Sequence, residues 1–267
     1  MDFDDINTRG LVLVGCGRMG GAMLTGWLRN GIQPEAVTVI DPNVRADWAD
    51  KGVRLNEPPP ENPAVLVLAV KPQMMTDVLP QLVVGAETLV LSVAAGVTLA
   101  AYDRAFPGAR IVRAMPNTPA AIARGISAII GNDAAGDASL DLAEGLLSVV
   151  GEVVRLQDES QMDAVTALSG SGPAYVFHLI EAMAAAGEAE GLPASLALQL
   201  ARATVAGAGA LAMADDTTPA ALREAVTSPN GTTAAGLAIL MDAHTGLPPL
   251  VARTVSAAAD RSRELGK

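Results

Sequence analysis

One cysteine, two histidines and three lysines are all that this 267-residue chain offers of the side chains that most often bind metals, attack substrates or shuttle protons. With Cys16 alone, no disulfide framework and no cysteine-built metal site forms within one chain. His178 falls in an apolar helical stretch and His244 at a helix end, positions of packing and capping. Neither belongs to an HExxH-type spacing, so no metal centre is expected. The lysines are Lys51, Lys71 and Lys267, so the C-terminal helical region has none before its last residue. A hydroxyacid dehydrogenase with a helical lysine base is hard to build from this chain. There is no G-x-S-x-G elbow and no serine–histidine–acid set either. Aromatic residues are only 3%, and the apolar half is mostly alanine, valine and leucine, which suits closely packed helices. Cationic side chains are outnumbered 18 to 29, and the net charge of −11 argues against nucleic acid or an anionic membrane as partner. An anionic ligand must then be held by local donors. No uninterrupted apolar run reaches the roughly 18 residues of a membrane span. The stretch Met1–Asp5 is acidic and lacks the basic and apolar regions of a signal peptide. A soluble, cytoplasmic protein is expected.

What is present begins at Leu11–Val14, four apolar residues that read as a buried strand. Gly15, Gly17 and Gly20 follow at G-x-G-x-x-G spacing, and Ala22, Met23, Trp27 and Leu28 continue with helical periodicity. Strand, glycine turn and helix form the context in which this motif seats a dinucleotide. Gly15 permits the tight turn, Gly17 the approach of a pyrophosphate, and Gly20 the packing of helix on strand. The helix N-terminus offers unpaired N–H groups to the phosphates. A second strand, Ala36–Ile40, ends at Asp41, where such units place an acid for the adenosine ribose. Asp41 favours NAD, whereas Arg45 suits the 2′-phosphate of NADP. The residues leave that choice open, as they do a reading of Asp41 as a helix cap before Val44–Ala49.

Apolar runs at Val65–Val70, Thr88–Val93 and Arg110–Ala114 read as buried parallel strands, and Ile126–Ile130 and Val153–Leu156 as two last strands around a helix near Leu140–Val149. Alternating strands and helices predict an α/β fold, a Rossmann-like doubly wound parallel sheet over residues 1–158. The loops at Lys71, Ala95 and Asn117 all follow strands, so they share the ligand crevice of such a sheet. From Glu159 onward no strand is expected. Pro173–Glu190, Ser195–Ala214, Pro219–Val226, Thr233–Ala243 and Pro248–Leu265 read as helices, with prolines at or near several starts. Helices this apolar all round are expected to be buried, often against a second subunit. Residues 159–267 thus form an all-helical domain. Two of its joints stand out, Leu168–Tyr175 and Thr227–Thr233. The second places hydroxyls and free N–H groups at a helix N-terminus, a neutral cradle for a carboxylate.

Taken together, Gly15–Gly20, Ala69–Gln73, Ser92–Gly96, Arg113–Pro119, Leu168–Tyr175 and Ser228–Thr233 resemble pyrroline-5-carboxylate reductase, in order and over nearly the whole chain. The resemblance implies reduction of 1-pyrroline-5-carboxylate to L-proline, the last step of proline biosynthesis, with NADPH or NADH. It implies a helical substrate-binding domain that forms an intertwined homodimer, often assembled into a larger ring. By position, it implies substrate contacts at Ser228, Gly231, Thr232, Thr233, Glu159 and Ala225, with the catalytic Thr233 hydroxyl meeting the ring nitrogen. It implies cofactor contacts at Gly15, Cys16, Gly17, Arg18, Met19, Gly20, Asp41, Asn56, Ala69, Val70, Lys71, Pro72, Ala95, Gly96 and Asn117. Asn230 departs from the Gly-Gly of many members, and Asp41 from members that prefer NADP. A nucleotide sensor of the same fold would need the glycine turn but not the Ser228–Thr233 cradle.

Overall fold

The computed structural model describes residues 3–266. Its contacts divide the chain into two compact units. One holds the chain up to Gly170 together with the segment from Ala258 onward, and the other is Ser171–Ala257.

The first unit contains β1 (Leu11–Val14), β2 (Val37–Ile40), β3 (Arg54–Leu55), β4 (Val65–Leu68), β5 (Leu89–Ser92), β6 (Arg110–Met115), β7 (Gly125–Gly131) and β8 (Gly151–Arg155). They form one sheet in the order β3-β2-β1-β4-β5-β6-β7-β8. Its helices are α1 (Asp4–Arg9), α2 (Arg18–Arg29), α3 (Met75–Val78), α4 (Leu99–Ala105), α5 (Asp137–Ser148) and α6 (Met162–Val165). The continuous apolar runs of β1 and β4 are explained by burial on both faces. Successive side chains of a strand point to opposite sides. Leu11 and Leu13 accordingly enter a core with Trp27 and Leu146, while Val12 and Val14 enter another with Leu66, Leu68 and Tyr102. The buried Trp27 indole donates to the Leu146 carbonyl at 2.7 Å and ties α2 to α5.

The sheet is not parallel throughout. Strands β1 to β6 are parallel, but β7 pairs with β6 antiparallel, and β8 runs parallel to β7. The strands expected at Ile126–Ile130 and Val153–Leu156 therefore run against the others. The short link from Pro116 to Arg124 holds only a 3-10 turn. A parallel return needs a crossover of about a dozen residues or more, so this link permits only reversal. β7 and β8 are joined through α5, which is long enough for a parallel crossover. The helix considered at Val44–Ala49 is instead a 3-10 turn, Ala46–Lys51.

The contacts do not divide at residue 158. Glu159–Gly170 stays with the sheet because the Glu159 side chain bonds to α4 and β6, and because Ser262 Oγ donates to Asp163 Oδ1 at 2.6 Å. The second unit contains α7 (Gly172–Ala189), α8 (Ala194–Ala212), α9 (Pro219–Ala225), α10 (Thr232–Leu240) and the start of α11 (Leu247–Leu265). Here α7 and α8 pack where Gly187 meets Ala197, and Ala184, Ala197 and Ala201 are their buried residues. The expected burial of these helices is not achieved by the single chain. Phe177, Leu200, Leu211, Ile239 and Leu250 are exposed. Two packed helices cover only their facing stripes, which leaves their other apolar faces open in the single chain. By length and composition alone, α8 is apolar enough to cross a membrane. Arg202, near its middle, would be costly there.

Candidate active site

Strand order reverses at β1, which has β2 on one side and β4 on the other. Crevices beyond the carboxyl ends of strands at such a point receive ligands in open α/β sheets. The glycine turn lies there, and its three glycines do three different things. Gly15 has φ of 93°, and a Cβ on it would lie 2.7 Å from the Ala69 carbonyl carbon and oxygen. A Cβ on Gly20 would lie 2.2 Å from the Gly15 oxygen, so α2 sits directly on the turn. A Cβ on Gly17 would meet nothing within 4 Å. Gly17 is also the N-cap of α2, which no side chain caps. The turn thus opens bare backbone and unsatisfied N–H groups outward, a cradle that fits a pyrophosphate. Arg18 is exposed, and Met19 packs on the core. Burial, followed by the nearby Asp41 charge, pushes the Cys16 thiol up to about 11. It is therefore almost wholly protonated, and a poor nucleophile, at neutral pH.

Asp41 is bound to this turn. Its Oδ2 accepts the Cys16 N–H at 2.7 Å, and its Oδ1 accepts the Asn43 N–H at 2.8 Å. Each oxygen keeps a lone pair for a ribose hydroxyl. Asn56, at φ of 53°, clamps the Asp41 backbone, accepting its N–H at 2.9 Å and donating to its carbonyl at 3.1 Å. Asp41 is thus an anchor of the loop as well as a cap of the turn after β2. Arg45 is engaged by the Asp47 carboxylate.

The neighbouring strand ends follow along the same rim. Ala69 and Val70 continue β4, the Ala69 N–H bonding to the Val14 carbonyl at 2.8 Å, and Lys71 and Pro72 turn the chain away. Ala95 and Gly96, the latter at φ of 76°, lie between β5 and α4. Leu265 and Gly266 lie against Gly96. Asn117, after β6, has both side-chain groups in use. Its Oδ1 accepts the Ile126 N–H at 3.0 Å, and its Nδ2 donates to Ser169 Oγ at 3.2 Å. Ser169 belongs to a π-helical turn, Thr166–Gly170. A cavity of about 300 Å³ adjoins Gly96, with Thr98, Arg113, Glu159, Asp163 and Arg263 among its walls.

Glu159 lies in this unit, whereas the other expected substrate contacts lie in the second. Its Oε1 is bonded to the Leu99 N–H and to the Arg113 guanidinium. Arg113 is the residue that sequence reasoning left without a role. The signal for it was an arginine inside the otherwise apolar run of β6, which when buried demands a charged partner.

In the second unit, Ser228, Thr232 and Thr233 are exposed and Ala225 ends α9. Asn230 has φ of 58°, supplying the left-handed step. The Gly231 N–H bonds to the Ser228 carbonyl at 3.1 Å, and a Cβ on Gly231 would lie 2.4 Å from Ser228 Oγ. Gly231 is the N-cap of α10 with no side-chain cap, so the first-turn N–H groups beside Thr232 and Thr233 point outward. His178 is exposed and paired with Glu181 at 3.0 Å, rather than packed inside. The His244 N–H bonds to Asp242 Oδ1 at 2.9 Å.

Comparison with known proteins gives a consistent assignment. Residues 159–265 match the family described as pyrroline-5-carboxylate reductase dimerisation, and residues 10–96 match the family described as NADP oxidoreductase, coenzyme F420-dependent. A pyrroline-5-carboxylate reductase of Synechocystis is 41% identical over 265 residues, covering 96% of this chain and 98% of its own. The structure of the reductase from Coxiella burnetii superposes with a TM-score of 0.86 at 33% identity, covering 97% of this chain and 99% of its own. That from Plasmodium falciparum, solved with NADP bound, gives 0.82 at 26%, covering 98% and 99%. With the dinucleotide turn at one end of the match and the helical joint of α10 at the other, the chain belongs to the pyrroline-5-carboxylate reductase family of NAD(P)H-dependent oxidoreductases.

Proposed function

We propose that hydride is delivered to the C=N carbon of 1-pyrroline-5-carboxylate by this chain's dinucleotide unit, and that Ser228, Gly231, Thr232 and Thr233 hold the imine. A reduced nicotinamide dinucleotide, when bound, supplies the hydride. The outward-facing backbone of Gly15–Gly20 and the start of α2 seat its pyrophosphate. Asp41 takes the adenosine ribose, and Asn56, Ala69–Pro72 and Asn117 line the crevice. Ala95 and Gly96 approach the nicotinamide.

The substrate reaches the enzyme as a protonated cyclic imine, so its carbon is already electrophilic and no histidine or lysine base is required. The Thr233 hydroxyl bonds to the ring nitrogen, which keeps the proton as hydride adds and the C=N π pair passes to nitrogen. First-turn N–H groups of α10 hold the carboxylate, with Ala225 beside them. The rate then derives chiefly from holding two reactants in line. Within the chain, the observation that carries this reading is the glycine turn at the strand-order reversal, open at Gly17 and anchored by Asp41. The exposed apolar helices of the second unit support a homodimer, on which a larger ring could build, working in the cytoplasm. Coenzyme absorbance should fall on addition of pyrroline-5-carboxylate, with proline as product. Consumption of neither coenzyme would overturn the reading.

A further inference from the structure

The turn between β5 and α4, which carries Ala95 and Gly96, is fastened at both ends. At its start, Ser92 Oγ accepts the Ala94 N–H at 3.3 Å and lies 2.5 Å from the buried Tyr102 hydroxyl. At its end, Glu159 Oε1 accepts the Leu99 N–H at 2.8 Å, and Thr98 Oγ1 accepts the Ala101 N–H at 3.3 Å. The same Glu159 oxygen takes Arg113 Nη1 at 2.6 Å. The Arg113 side chain is 5% exposed, and its strand position is paired with Ser92. Glu159 is itself pre-set. It opens a 3-10 turn closed by a capping box, with Asp158 Oδ1 accepting the Ser160 N–H at 2.7 Å and Gln161 Oε1 accepting from Asp158. A buried guanidinium, a committed carboxylate and the first N–H of α4 thus form one rigid strut.

We propose that Glu159, together with Arg113, is a positioning residue for hydride transfer, holding the Ala95–Gly96 turn at the height of the nicotinamide rather than touching the substrate. This rests on the reading that Ala95 and Gly96 approach the nicotinamide. Both bonds converge on Oε1, which fixes the carboxylate between the buried Arg113 guanidinium and the Leu99 N–H; Oε2 is left for other contacts, so the kinetics below separate positioning from substrate contact. Removing it frees the end of the turn, and small misplacements of reacting groups are costly in rate.

The test compares Glu159→Ala and Glu159→Gln with the parent, using pyrroline-5-carboxylate and coenzyme deuterated at the transferred position. Positioning predicts that Glu159→Ala lowers kcat about tenfold or more and raises the primary isotope effect, because hydride transfer becomes limiting. KM for the imine should stay within about twofold. Glu159→Gln keeps an oxygen for the Leu99 N–H and should recover much of the loss. A raised imine KM with unchanged kcat and isotope effect would assign Glu159 to the substrate and overturn the proposal. No change, or a fall in kcat without an isotope response, would overturn it too. If Glu159→Ala shows no melting transition, Glu159→Asp takes its place. Its shorter arm should give lower kcat and a larger isotope effect than Glu159→Gln, and equal values would count against the strut. A parent that fails to turn over sinks the proposed function itself, whereas an active parent insensitive at Glu159 sinks only this inference.

Discussion

The glycine turn allows coenzyme binding and stability to be separated by three single-methyl substitutions. On Gly17 a methyl meets nothing within 4 Å, and φ of −71° suits alanine. Gly17→Ala should leave stability within about 0.5 kcal/mol. The methyl projects into the space proposed for the pyrophosphate, so coenzyme Kd should rise about tenfold, or ~1.4 kcal/mol. On Gly20 the methyl falls 2.2 Å from the Gly15 oxygen, roughly 1 Å inside the nearest ordinary contact. Helix α2 must back away from the turn, at a cost of about 1–3 kcal/mol. Gly20→Ala should therefore lower the melting temperature by several degrees and weaken the coenzyme as well. On Gly21 the methyl meets only the Cys16 oxygen at 3.7 Å, an ordinary contact. Gly21→Ala should bind coenzyme normally and melt slightly higher, since alanine exceeds glycine in a helix by up to about 1 kcal/mol. Coenzyme fluorescence titration and thermal melts of the coenzyme-free proteins read both quantities. Unimpaired binding by Gly17→Ala, or equal impairment by Gly21→Ala, would refute the assignment of the phosphate cradle.

Asp41→Ser should shift preference toward NADPH by about tenfold, because it removes a carboxylate from beside the proposed site of the adenosine ribose and so relieves repulsion with a 2′-phosphate; equal NADH and NADPH ratios of kcat/KM in variant and parent would leave Asp41 as a loop anchor only. With its thiol pushed from 9.0 to about 11, Cys16 should alkylate about 100-fold more slowly at pH 8 than an ordinary cysteine, and faster as pH climbs toward 11. Asp41→Ser should quicken that alkylation, since Asp41 is one cause of the rise. Thr233→Ala should cost about tenfold in kcat, the worth of one hydrogen bond at the ring nitrogen, with coenzyme Kd unchanged. Light scattering should give at least twice the 27.1 kDa of one chain, and a monomer would refute the proposed homodimer.

Much of the sheet was legible because β1, β4 and β5 are buried on both faces and so appear as unbroken apolar runs. The glycine turn was legible because Gly15 and Gly20 answer local steric demands, while Gly17 leaves open space at the start of α2. Strand direction was not, since alternation and apolarity are the same read either way; β7 is reversed by the length of a loop. The two-residue β3 is too short to show a period. The fates of Glu159 and Arg113 were hidden because the carboxylate's partners lie 60 and 46 residues away in the chain. Its position suggested a substrate contact, and nothing local to it marked that its Oε1 would also be bonded to α4 and β6. The helices of the second unit were found from their apolar content and prolines, but that same content could not tell burial within the chain from burial against another.

The sheet unit is discontinuous, with Ala258 to Gly266 returning to it after the whole helical unit has been made. During synthesis the ribosome therefore releases the Gly96 rim bare, and Asp163 waits through nearly a hundred residues for Ser262. Such a long-range closure is slow to form. Until those last residues emerge, the Gly96 rim lacks the contacts that Leu265 and Gly266 make with it.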